Sequence, residues 1–199
     1  MGDAGAMTDP EIDSMLQSIR ALIAESSDDD DPYTPNPVLT AQDVLAWEDL
    51  TQFTLPEQYR IFLTQIGDGG RMPGSYCDFV LEPLGGVWGR WTASDPFPIS
   101  ASRFQDVLSR LVTEGRPANG VLFPELEAHW EEADRPPGCL EFGKDPAGDL
   151  YLLVTAGDLR GSVWSTVHFG VPAVDREGRP IGFLRWFAEM LTEFARHHP

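Results

Sequence analysis

Gly138–Val167 reads GCLEFGKDPAGDLYLLVTAGDLRGSVWSTV. It holds three short apolar runs, Cys139–Phe142, Leu150–Thr155 and Ser162–Val167, parted by two turn signals. Lys144-Asp145-Pro146-Ala147-Gly148-Asp149 has a proline to fix φ and a glycine able to take positive φ. Gly157-Asp158-Leu159-Arg160-Gly161 repeats the signal. Val, Tyr, Leu, Trp and Thr suit a pleated, half-buried surface, and loops this short force each strand beside the last. The stretch therefore predicts a three-stranded antiparallel meander.

The flanks supply what covers it. Downstream, Val171–Val174 reads as a last strand before the turn Asp175-Arg176-Glu177-Gly178. Phe183, Leu184, Phe187, Met190, Leu191 and Phe194 then recur at helical spacing. Upstream, Pro124 opens a turn through Leu126 and Trp130. Ser102-Arg103-Phe104-Gln105 reads as a capping box for a helix with Phe104, Val107, Leu108, Leu111 and Val112 inward and Gly115 at its end. Asp78–Leu84 reads as a strand, placed at a sheet edge by Pro83. Gly85-Gly86-Val87-Trp88-Gly89-Arg90-Trp91 fits a loop or an irregular strand.

Thr54-Leu55-Pro56-Glu57 reads as a capping box for a helix with Leu55, Tyr59, Phe62, Leu63 and Ile66 on one face, stopped by Gly67 and followed by a loop at Asp68-Gly69-Gly70. Thr40 caps a short helix through Val44, Leu45, Trp47 and Leu50. Asp9–Glu25 is amphipathic, with Ile12, Met15, Leu16, Ile19, Leu22 and Ile23 on one face. The SSDDDDPYTPNP that follows reads as a linker, because adjacent aspartates repel and prolines disfavour regular structure. The first helix either packs on the domain or docks on another chain. Residues 1–37 are thus an acidic extension and 38–199 one domain. Helices, then strands, then a closing helix predict α+β: a largely antiparallel sheet with a central meander, packed by N-terminal helices and a C-terminal helix.

The 199 residues carry a net charge of -18. Residues 1–35 hold nine acids and one base, a net of -8. Residues 36–199 hold 23 acids and 13 bases, a net of -10, so the domain is acidic by itself. This argues against nucleic acid as a partner and for either a basic partner or simple solubility. The start MGDAGAMTDPEID shows no classical signal peptide, and no apolar run is long enough to span a bilayer. Cys77 and Cys139 lie in apolar runs without metal or redox spacing and read as buried thiols of a cytoplasmic protein.

The chemistry-bearing residues do not assemble into a reactive motif. His129, His168, His197 and His198 lack metal-ligand spacing, there is no G-x-S-x-G elbow, and the glycines at 67, 69, 70 and 74 lack the Lys and Ser/Thr of a P-loop. Asp145 and Asp149 read as turn formers, since Ala156 stands where a calcium loop needs an acid. No catalytic residue, cofactor or metal is expected. Surface candidates for a protein partner are Trp88 and Trp91, the acids Glu131, Glu132 and Asp134 near Trp130, and Asp68 and Asp145.

Two motifs in order carry a resemblance. One is Leu55-Pro56-x-x-Tyr59-x-x-Phe62-Leu63 ending at Gly67. The other is Leu140-x-Phe142-Gly143, Gly148-Asp149-x-Tyr151-x-Leu153 and Gly161-x-Val163-Trp164, closed by Phe183-Leu184-x-x-Phe187. In these the chain resembles the SUKH superfamily, which includes fungal cell-wall-assembly regulators and many bacterial immunity proteins. The resemblance covers roughly residues 38–195. It implies an α+β domain without catalytic residues, with structural roles for the motif positions, and a function in binding and neutralising a toxin, often a nuclease. The alternative it carries is an intracellular scaffold or regulatory module. An enzyme acting through Asp145, Asp149 and His168 is the remaining reading.

Overall fold

Leu150–Val154 is a strand covered on both faces. Tyr151 and Leu153 point into one apolar cluster, and Leu152 and Val154 into another. A continuous apolar run, rather than strict alternation, is what such a position demands. In this computed structural model residue 3 and residues 5–26, 33–72, 79–85, 95–117, 120–133, 136–145, 147–167 and 170–197 are described. The order is α1 (Asp9–Ser26), β1 (Thr34–Pro35), α2 (Ala41–Thr51), α3 (Glu57–Gln65), β2 (Gly70–Met72), β3 (Phe79–Leu81), α4 (Ala101–Glu114), α5 (Pro124–Ala133), β4 (Cys139–Lys144), β5 (Leu150–Val154), β6 (Val163–Ser165), β7 (Val171–Pro172) and α6 (Phe183–His197).

The seven strands pair in sequence order, every pair antiparallel, so the predicted meander extends across the whole sheet. Gly148, at φ +93, makes the β4–β5 turn, where the Asp145 carboxylate accepts from the Asp149 N–H at 2.9 Å. A bulge at Glu141/Gly143 shifts the register of β4 against β5. The class is α+β, with helices on both faces. α1, α3 and α6 share one core with Leu140, Phe142, Leu153 and Val163. α4 and α5 share the other with Cys139, Leu152, Val154 and Trp164. The Cys139 thiol is buried and donates to the Pro136 carbonyl, whereas Cys77 lies outside the described residues.

Several local expectations change. The stretch read as a linker contributes β1, and Tyr33 just before it is buried, its hydroxyl donating to the Gly69 carbonyl at 3.1 Å. Gly70 begins β2 instead of lying in a loop, and β3 is interior, between β2 and β4; Pro83 stands beyond its end. Both outer strands, β1 and β7, are two residues long and contain a proline. α4 starts two residues early, because Ser100 rather than Ser102 takes the Arg103 N–H; Val112 on that helix is 88% exposed. On α2, Leu45 and Leu50 face solvent. Gly67 follows α3 without left-handed φ. A Cβ there would lie 2.7 Å from the Asn36 carbonyl oxygen, so the requirement is for close approach of β1's exit strand.

Residue 3 and residues 5–26 are built into this fold. α1 lies along α6 and sinks Ile12, Leu16 and Ile19 into the first core. Of the two readings of this helix, packing on its own domain is the one observed.

Candidate functional site

α3 carries the first motif, and its side chains split between packing and polar anchoring. Leu55, Tyr59, Phe62 and Leu63 are buried; Tyr59 and Phe62 meet the Phe183 ring at centroid distances of 4.7 and 4.9 Å. The expected Thr54 capping box does not form. The N-cap is Pro56, which has no side-chain donor or acceptor to offer, and the Glu57 N–H donates instead to the Asp3 carboxylate at 3.0 Å. An acid from the chain's first residues thus caps a helix 54 positions away, where the helix dipole favours a negative charge. Arg160 locks that acid by an ion pair with Asp3 and donates to the carbonyls of Thr54 and Leu55 at 3.1 and 2.8 Å.

Two further buried polar side chains hold the same region. Gln58 donates to the Gly5 carbonyl at 2.7 Å and accepts from the Leu184 N–H at 3.1 Å, joining the N-terminal segment, α3 and the start of α6. Glu48 of α2 is 8% exposed. It accepts from Arg60 Nε at 2.9 Å, Arg60 Nη2 at 2.7 Å and the Leu55 N–H at 2.6 Å. Replacing Glu48 by Gln turns an NH2 toward the guanidinium. E48Q is expected to cost about 2 kcal/mol, below the range for fully buried pairs because Arg60 is partly exposed. Urea denaturation of E48Q, R60Q and the double variant checks this, the double losing less than the sum of the singles.

Of the named surface candidates, Asp68 and Asp145 have described side chains, and each serves its own loop. Asp68 turns inward and accepts from the Leu84 N–H at 2.6 Å. Burial lifts its carboxyl above the ordinary aspartate range, against the opposing effect of that hydrogen bond. Asn keeps an acceptor for Leu84 without a charge to desolvate, so D68N is expected to leave stability at neutral pH unchanged or slightly raised. With the folded value above the unfolded one, the penalty on Asp68 is full above the folded value. It is relieved as the pH falls below the unfolded value, so any advantage of D68N disappears there. Chemical denaturation at neutral and acid pH measures it; a D68N protein clearly weaker at neutral pH would mean that the charge itself holds the loop.

Asp145 and Asp149 are occupied in their turn, the latter also accepting from Thr166 Oγ1 at 3.3 Å. Of the other motif positions, Gly143 sits at the β4 bulge and Gly161 in the β5–β6 turn. Glu131 and Glu132 fall in the last turn of α5. Trp88, Trp91, Asp134, His168 and His198 lie outside the described residues. Among the described residues no group of three or more His, Cys, Asp or Glu side chains is placed to hold a metal ion, and no helix is long and apolar enough to cross a membrane.

A cleft of about 980 Å³ opens between α1, the start of α4 and the 175–185 segment. Glu11 and Ser14 line one wall and Arg179 and Arg185 the other, over Phe104 and Leu159. Asp175 beneath them accepts from the backbone N–H of Arg179 and Glu177, which holds its carboxyl below the ordinary range. These groups brace a turn and present mixed charge to the cleft. Asp3, Glu48, Gln58 and Arg160 escaped the reading of the sequence, because each acts on a partner distant in the chain; only Glu48, four residues from inward Val44, carried a local hint.

The model of the SMI1 / KNR4 family (SUKH-1) matches residues 38–196 of the chain. No curated protein matches it.

Proposed function

Given that the chain belongs to the SMI1/KNR4 family (SUKH-1), we propose that it is a non-catalytic protein-binding domain: an immunity protein that neutralises a cognate bacterial toxin by direct binding in the cytoplasm. The observation that carries this reading is the charge of the domain within a family rich in such binders. Residues 36–199 alone are net -10. A nuclease toxin must hold phosphate, so its working face is basic, and an acidic partner is steered to it and matched against it. The buried polar groups around α3 support the same reading, since each is taken up in bracing the fold.

The test is to mix the purified protein with the product of the adjacent gene. A one-to-one complex that weakens as salt rises, together with rescue of cells from that product, is expected. Failure to bind or to protect against any toxin-like neighbour overturns the reading. A gene standing without such a neighbour favours instead a scaffold or regulatory module of the cell-wall-assembly-regulator type.

A further inference from the structure

Helix α2 buries one acid and leaves two leucines in solvent. Its buried side chains are Val44 and Glu48, while Leu45 is 55% and Leu50 72% exposed. At 3.6 residues per turn the outward arc runs Leu45, Asp49, Gln42, Ala46, Leu50, Asp43. The arc thus carries two leucines and two aspartates and no base, with Asp49 between the leucines and Asp43 just beyond Leu50. The helix does not need those leucines to stay in place. Thr40 and Asp43 close a reciprocal capping box at 3.1 and 3.0 Å, and the N–H of Gln52, in left-handed conformation, returns to the Glu48 carbonyl. Glu48 is clamped by Arg60 from α3. The outward face is therefore held rigid by polar contacts while its apolar side chains stay uncovered.

From Ala21 to Tyr59 the chain has nine acids and no Lys or Arg, and Arg60 just beyond is committed to Glu48. We propose that the outward face of α2 is a docking surface for a basic protein surface that carries apolar side chains between its Lys or Arg residues. This rests on the binding function proposed above and names the face that performs it. Exposed leucines supply burial, and Asp43 and Asp49 supply register and steering. A second copy of this chain fits less well, because a two-fold contact through α2 sets Asp43 and Asp49 against their own counterparts.

The test uses the full chain, isotope-labelled, titrated with a helical amphipathic peptide of leucine and lysine, and with a leucine–glutamate peptide as control. Expected are amide shifts centred on residues 41–52 with the basic peptide alone. L45S/L50S should weaken binding about tenfold or more with an unchanged melting temperature, and D49K should weaken it as well. Shifts centred on α1 or α5, or equal binding of both peptides, overturn the proposal; so do α2 shifts that grow with protein concentration in the absence of peptide, which would make a second copy the occupant. The same double variant separates the two claims. If it still neutralises an adjacent toxin at full affinity, this surface is wrong and the function stands. If no toxin is neutralised while the peptide maps to α2, the surface stands without that function.

Discussion

Phe183→Ala is expected to destabilise the protein by about 3–5 kcal/mol. Phe183 is fully buried at the first turn of α6, and its ring meets those of Tyr59, Phe142, Trp186 and Phe62 at centroid distances from 4.7 to 5.6 Å. Those rings come from α3, β4 and α6, so no single element can relax to fill the space. Burial of the ring and the edge-to-face contacts are lost together. For a chain of this size the loss lowers the melting temperature by roughly 10 °C. Urea denaturation should show a lower midpoint with an unchanged slope. A loss under about 1 kcal/mol would mean that this core is loosely packed.

Ile19→Ala is expected to cost about 2–4 kcal/mol, although it lies outside the part of the chain that the family model covers. Ile19 is wholly buried in the core shared by α1, α3 and α6. A helix that merely trailed from the domain would lose a few tenths of a kcal/mol from the same change. Amide exchange adds an independent readout. α1 should exchange with α6 in the wild type, and ahead of it in I19A. Expression of residues 38–199 alone should expose the apolar face of α6, detectable with a hydrophobic dye.

Much of this architecture was written locally. The meander was legible because Pro146 with Gly148, and Gly157 with Gly161, punctuate three apolar runs too short to be helices. α1 and α6 were legible because their apolar stripes, Ile12–Ile23 and Phe183–Phe194, keep helical spacing over about three turns. What escaped is decided by distant partners. β1 and β2 have two and three residues, far below the length at which periodicity speaks, and exist because Thr34 meets Arg71 and Met72 meets Phe79. The cap of α3 was assigned to Thr54, beside it in the chain, while Asp3 performs it from 54 residues upstream of Glu57. The α2 sequence names Val44, Leu45, Trp47 and Leu50 as its apolar residues without deciding which of them face inward. The wheel could not reveal that Glu48 meets a guanidinium and a backbone N–H beneath it. Asp68 and Asp145 each accept a backbone N–H, Asp68 from Leu84, sixteen residues on, which its local sequence does not show.

The proline-bearing pairs Thr34-Pro35 and Val171-Pro172 at the two rims of the sheet bear on how this molecule meets others. A peptide that seeks to extend a sheet needs a ladder of free N–H groups, and here each rim is short and missing one of its donors. Strand-wise addition, whether by a ligand segment or by a sister molecule on the way to a fibril, finds no template of useful length. Sheet extension is thus disfavoured at both rims, and the binding proposed above has to run through side chains instead of borrowed backbone.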